Sequence, residues 1–120
     1  VDIARPDVPE EFLSSRWRLL VADDLSDTAR RWVPGGLDLL FIDTSHTYEQ
    51  TSAELAEYVP RVWPGGTVLL HDTQWTPTGP LPAPDGPVAA ALTDYCAREG
   101  LHWENEPSVW GMGVIRVPVP

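Results

Sequence analysis

Two apolar segments of this 120-residue chain end in carboxylates with polar neighbours. Asp43 is followed by Thr44-Ser45-His46, and Asp72 is preceded by His71 and followed by Thr73-Gln74. A third apolar segment ends at Asp23-Asp24. A carboxylate closing an apolar strand is desolvated unless it meets a partner, so the repetition has a physical cause to find. Hard oxygen ligands from two adjacent strand ends suit Mg²⁺ or a similar divalent cation and leave positions for water or substrate. An imidazole three residues beyond Asp43 adds a side chain suited to general base catalysis near neutral pH. Each residue has a plainer counterpart. Asp43 could cap the next helix, His46 could be a surface loop histidine, and Asp72 could close its strand through an Asx-turn. Taken together, at two strand ends with a Pro-Gly-Gly before the second strand, they read as a site.

Such a site needs a sheet to hold it, since ligands of open α/β sheets bind beyond the carboxyl ends of parallel strands. The chain alternates apolar and helical segments, which is the α/β pattern. Residues 18–22 (RLLVA) read as a strand and 26–32 as one or two helical turns capped by Ser26 or Asp27. Pro34-Gly35-Gly36 is a break. Residues 37–43 (LDLLFID) are nearly continuously apolar, as for a strand covered on both faces. A helix follows over 47–59, with Tyr48, Leu55, Tyr58 and Val59 inside and Glu49, Glu54 and Glu57 outside. Residues 63–66 (WPGG) read as a tight turn into a strand over 67–71. The Pro- and Gly-rich stretch 74–87 is a long surface loop on the substrate side, where Trp75 offers a contact surface. A helix over 88–99 stops at Gly100, and strands over 101–106 and 111–117 form an antiparallel pair about the turn 107–110.

Composition narrows the function. The formal net charge is −10 and every basic residue is Arg, which disfavours nucleic acid and anionic membranes, because both demand clustered cations. No apolar run approaches the roughly 20 residues that span a bilayer, and the first residues lack the basic and apolar pattern of a signal peptide. A cytoplasmic location is expected. The single cysteine, Cys96, lies in a helical stretch and reads as a packed small hydrophobe rather than a nucleophile.

The stretch LDLLFIDTSHTYEQTSAELAEYVPRVWPGGTVLLHDT resembles the class I S-adenosylmethionine-dependent methyltransferases. Within them it is most similar to the metal-dependent O-methyltransferases related to catechol O-methyltransferase, and to the macrocin, mycinamicin and cephalosporin-hydroxylase-like relatives. The resemblance implies that Asp43 and Asp72 bind metal, and that His46, three residues on, is the catalytic base. Thr73 lies where catechol-type enzymes carry an Asn ligand, and is the third metal candidate. The opening Val1-Asp2-Ile3 resembles the end of the family's second strand, so Asp2 would bind the cofactor ribose. VADDLS resembles the adenine loop, placing Asp23 or Asp24 there, with Asp24 preferred. The closing WGMGVIRV resembles the family's final strand.

The fold implied is a Rossmann-like class I methyltransferase sheet, mostly parallel with a C-terminal antiparallel hairpin, in a single partial domain over residues 1–120. The family's first strand and glycine-rich loop would precede Val1. In the family's strand order, 3-2-1-4-5-7-6, that strand lies between the second and the fourth. Without it the strand over 18–22 is separated from the rest and backbone edges are unpaired. The expectation is therefore a fragment of a longer protein, or a second copy or another chain that completes the sheet. The activity implied is S-adenosylmethionine- and divalent-metal-dependent methyl transfer to a small-molecule hydroxyl of natural-product or sugar type. Two alternatives stay open: a metal-dependent relative of cephalosporin-hydroxylase type, and a non-catalytic Rossmann-like interaction module.

Overall fold

The computed structural model describes residues 1, 2, 4, 9 and 16–120. Along them run α1 (Asp27–Trp32), β1 (Leu37–Ile42), α2 (Tyr48–Tyr58), β2 (Val62–His71), α3 (Pro87–Glu99), β3 (Trp103–Glu106) and β4 (Met112–Arg116). Local chemistry sets their ends. Thr47 caps α2, its hydroxyl accepting from Gln50 N at 3.3 Å. A short 3₁₀ turn over Val59–Arg61, with Pro60 inside it, closes that helix. α3 opens on Pro87 behind Gly86 and stops at Gly100, whose φ of 68° is left-handed.

Two compact units divide the chain, Val1–Pro34 and Gly35–Pro120. The second contains a four-stranded sheet of order β1-β2-β4-β3. β1 and β2 are parallel, with Leu39 to Ile42 abreast of Thr67 to Leu70. β4 runs antiparallel to both β2 and β3. This is the α/β arrangement expected, a parallel pair extended by an antiparallel hairpin. Helices α2 and α3 pack on one face. Ile42, Val68, Leu70 and Ile115 of the sheet form a core with Leu55, Val59, Leu92 and Cys96. Gly113 lets α3 approach, since a Cβ there would lie 2.5 Å from Leu92 Cδ2.

Several expectations need correction. β1 is not covered on both faces, for Leu39 and Phe41 remain 56% and 53% exposed. Their side chains alternate with Leu40 and Ile42, so only the latter pair meets the helices. The WPGG stretch is not a turn before β2 but part of it. The register jumps from Leu37↔Val62 to Leu39↔Thr67, so the extra residues bulge out of the parallel pairing. Glycine makes this possible: Gly65 has φ of 88°, and a Cβ on Gly66 would come within 2.6 Å of Val62. On the other side, Gly65 N and Gly66 O bond Val117 O and N at 2.9 Å. In α2 the inside and outside are partly exchanged. Tyr48 is exposed and donates to Asp94 Oδ2 at 2.7 Å, whereas Glu54 is fully buried.

The first unit is smaller. Ser26 caps α1, accepting from Ala29 N at 3.2 Å. Among the described residues, the strand expected over 18–22 shows one parallel bridge, Asp2↔Val21, framed by Asp2 N to Leu20 O and Ala22 N to Asp2 O. Ile3, the last residue of the expected opening strand, lies outside the described residues.

Candidate active site

The register that fixes the β1–β2 pair also builds the site. Ile42 stands beside Leu70, so the next residues, Asp43 just past β1 and His71 at the end of β2, lie side by side. His71 Nδ1 lies 3.8 Å from Asp43 Oδ1 and 3.1 Å from Asp72 Oδ1. Asp72 then turns sharply. Its φ of 67° places it in the left-handed region, unusual for any residue but glycine and best tolerated by Asn and Asp. Two backbone bonds hold that turn, Asp72 N to Gly111 O and Trp75 N to Asp72 O, both 3.0 Å. The plain Asx-turn reading of Asp72 is thus insufficient: its carboxylate is buried and faces histidines.

His46 comes from the loop between β1 and α2. Its Nε2 lies 2.6 Å from Asp72 Oδ2. In the neutral tautomer protonated at Nε2, that nitrogen donates to the carboxylate and Nδ1 keeps its lone pair. Trp75 stacks on the imidazole with ring centroids 4.4 Å apart and planes at 23°. His46 is therefore no free surface histidine. Asp43 is not the helix cap either, since Thr47 fills that role. Asp43, His46 and Asp72 each present one ligand-type atom within 4.8 Å of the others. Behind them Thr44 Oγ1 donates to buried Glu54 Oε1 at 2.6 Å, and Gln50 Nε2 donates to the same oxygen at 3.0 Å. The loop carrying Asp43 and His46 is pinned to α2 by this contact. A shallow depression opens beside it, lined in part by Ser45, His46, Thr51 and Val88.

Thr73 is placed elsewhere. Its side chain is fully buried, and Oγ1 donates to Asn105 Oδ1 at 2.6 Å. Asn105 Nδ2 donates to Gln74 Oε1 at 3.3 Å, and Gln74 Nε2 to Leu81 O at 2.7 Å. This chain of bonds ties the end of β2 to β3 and to the following loop, so Thr73 serves as a fastening there. That loop, expected over 74–87, is held by Leu81 N to Gln74 O at 2.7 Å and Gly86 N to Thr73 O at 3.3 Å. Trp75 within it contacts His46.

The cofactor candidates all belong to the first unit. Asp2 and the Asp23-Asp24 pair lie at the ends of the two segments joined by the Asp2↔Val21 bridge. Asp2 Oδ1 accepts from Ala4 N at 3.2 Å and Asp23 Oδ1 from Leu25 N at 2.8 Å. Asp24 is half-buried.

Sequence reasoning did not assign His71 or Glu54 to the site. His71 had a signal, a second imidazole adjoining Asp72 at a strand end. Glu54 had none, because a glutamate on an amphipathic helix reads as its solvated face. The donor set fits a divalent cation. It combines an exposed carboxylate free to rotate, a buried carboxylate held by its backbone, and imidazole nitrogens beside both. Cys96 takes no part; it is buried in α3, and burial pushes its thiol up to about 11.

Among the described residues no helix is long and apolar enough to cross a membrane. A search of curated proteins finds no match. Solved structures share the fold. The O-methyltransferase NovP matches over 70% of this chain with TM-score 0.54 and 23% identity, and a protein from Corynebacterium glutamicum over 92% with TM-score 0.64 and 20% identity. The chain spans 31% of the first and 51% of the second. A family model described as a methyltransferase domain matches residues 2–73, which run from the Asp2 bridge to the end of the Asp72 turn, and the chain belongs to that family.

Proposed function

We propose that this chain carries the acceptor-side residues of an O-methyltransferase that uses S-adenosylmethionine and a divalent cation to methylate a small-molecule hydroxyl. The observation that supports this most is the convergence of Asp43, His46 and Asp72 at the ends of two parallel strands. Asp43 and Asp72 would hold the cation. When bound there, it supplies Lewis acidity that lowers the pKa of an acceptor hydroxyl. Asp72 Oδ2 fixes the ring of His46 through Nε2, and Trp75 fixes its plane. With Nε2–H donated to Asp72, the neutral ring of His46 would take the hydroxyl proton on Nδ1 and act as general base. S-adenosylmethionine would supply the methyl group to the deprotonated acceptor oxygen, with S-adenosylhomocysteine as the leaving group, and the rest of the catalysis would be positioning. Asp2 and Asp23 or Asp24 would bind the ribose and adenine of the donor.

Calorimetry with S-adenosylhomocysteine, with and without Mg²⁺, tests the reading. Binding that tightens with the cation is the expected result, and no binding in either state would favour a non-catalytic interaction module. In a methyl-transfer assay His46→Ala should lower turnover by about 10²–10⁴-fold, the range general base catalysis supplies. Unchanged turnover would remove His46 from the base role.

A further inference from the structure

We infer that His71 is the nitrogen ligand of the cation site, which makes that site one for Mn²⁺, Co²⁺ or Zn²⁺ in preference to Mg²⁺. The inference rests on the proposed cation site and adds a ligand to it. Two histidines adjoin the carboxylates, and their distances separate them. Metal–ligand bonds near 2.1 Å put neighbouring ligand atoms about 3.0–3.4 Å apart, depending on octahedral or tetrahedral angles. His71 Nδ1 lies 3.1 Å from Asp72 Oδ1, inside that range. Its 3.8 Å distance to Asp43 Oδ1 closes by a small rotation of the exposed Asp43 side chain. His46 Nε2, at 2.6 Å from Asp72 Oδ2, is too close for two ligands of one ion and is hydrogen-bonded instead.

Asp72 thereby divides its two oxygens. Oδ2 orients the base, and Oδ1 turns toward His71 and the cation position. Hard Mg²⁺ keeps to oxygen ligands, whereas an imidazole beside two carboxylates suits the borderline first-row cations. The register supports the arrangement, because His71 closes β2 one residue after the Ile42↔Leu70 pair, next to Asp43 and half-buried at the same sheet end.

Mn²⁺ is the probe. Titration calorimetry should give an Mn²⁺ affinity at least about tenfold above that for Mg²⁺, in the direction the ligand preferences predict. Electron spin echo measurements on the Mn²⁺-loaded chain should show coupling to an imidazole ¹⁴N. His71→Asp should keep Mn²⁺, lose the ¹⁴N coupling and bring the two affinities close together, with His71→Asn as a second variant for loss of the coupling. His46→Ala should retain the coupling. The inference is overturned if bound Mn²⁺ shows no ¹⁴N coupling, or if the coupling survives in His71→Asp and disappears in His46→Ala. If the ¹⁴N result overturns the inference while Asp43→Ala or Asp72→Ala still abolishes Mn²⁺ binding, only the role of His71 is lost and the cation site stands. Mn²⁺ that does not bind, or binds regardless of those two variants, overturns the cation site and the inference together.

Discussion

Asp72 combines three demands that few residues can meet. It adopts φ of 67°, it is only 7% exposed, and its two oxygens face His46 and His71. A left-handed conformation costs a β-branched residue more than it costs Asn or Asp, whose short polar side chains tolerate it. Two substitutions therefore separate backbone from chemistry. Asp72→Asn should keep the turn and fold with stability close to the parent, while losing the charge proposed to hold a cation. Asp72→Val should lose the charge and also about 1–3 kcal/mol of stability to backbone strain. Urea denaturation and Mn²⁺ titration on both variants check this. Equal stability of Asn and Val variants would show that the turn stores no strain.

At the scale of elements, both helices illustrate what a residue pattern can and cannot convey. The apolar positions Leu55 and Tyr58 of α2, and Val59 just after it, were legible, because apolar stripes at helical spacing have one physical outcome. The burial of Glu54 was not, since it depends on Thr44 and Gln50 reaching the same oxygen. Tyr48 was misjudged for a related reason: its hydroxyl has a partner in Asp94 on α3 that keeps the ring at the surface. In α3, Cys96 behaves as expected of a packed hydrophobe, and burial raises its thiol from 9.0 to about 11. The neighbouring Tyr95 phenol is raised by burial too. Below 9.0 the folded and unfolded chains both keep the thiol proton. Between there and about 11 the unfolded chain loses it first, so stability falls as pH rises through that window. The urea midpoint should fall less steeply across that range in Cys96→Ala than in the parent. Identical slopes would mean that Cys96 contributes none of the alkaline loss.

For the whole molecule, the sheet was legible where short apolar runs, turns and antiparallel pairing agree. The parallel pair and the hairpin appear in the expected order, and Asp43 and Asp72 meet at their ends. The exposed face of β1 and the bulge at Pro64-Gly65-Gly66 were not legible. An apolar strand looks alike whether one face or two are covered, and Pro-Gly-Gly serves a bulge as well as a turn. Residues 18–22 likewise read as a strand by their apolar character, yet among the described residues only Val21 has a bridge partner. Among the described residues, every buried apolar side chain except Ala29 belongs to Gly35–Pro120. The hydrophobic cluster between the sheet and helices α2 and α3 lies wholly within that unit, as do Asp43, His46, His71 and Asp72. A domain's stability follows its buried apolar area, and a site's affinity follows the residues that touch the ligand. A chain restricted to residues 35–120 should therefore unfold cooperatively in urea and bind Mn²⁺ within about threefold of the parent affinity, a difference below 1 kcal/mol. Loss of the cooperative transition would place stabilising contacts in residues 1–34. A retained transition with lost Mn²⁺ binding would show instead that the cation site draws a ligand from those residues.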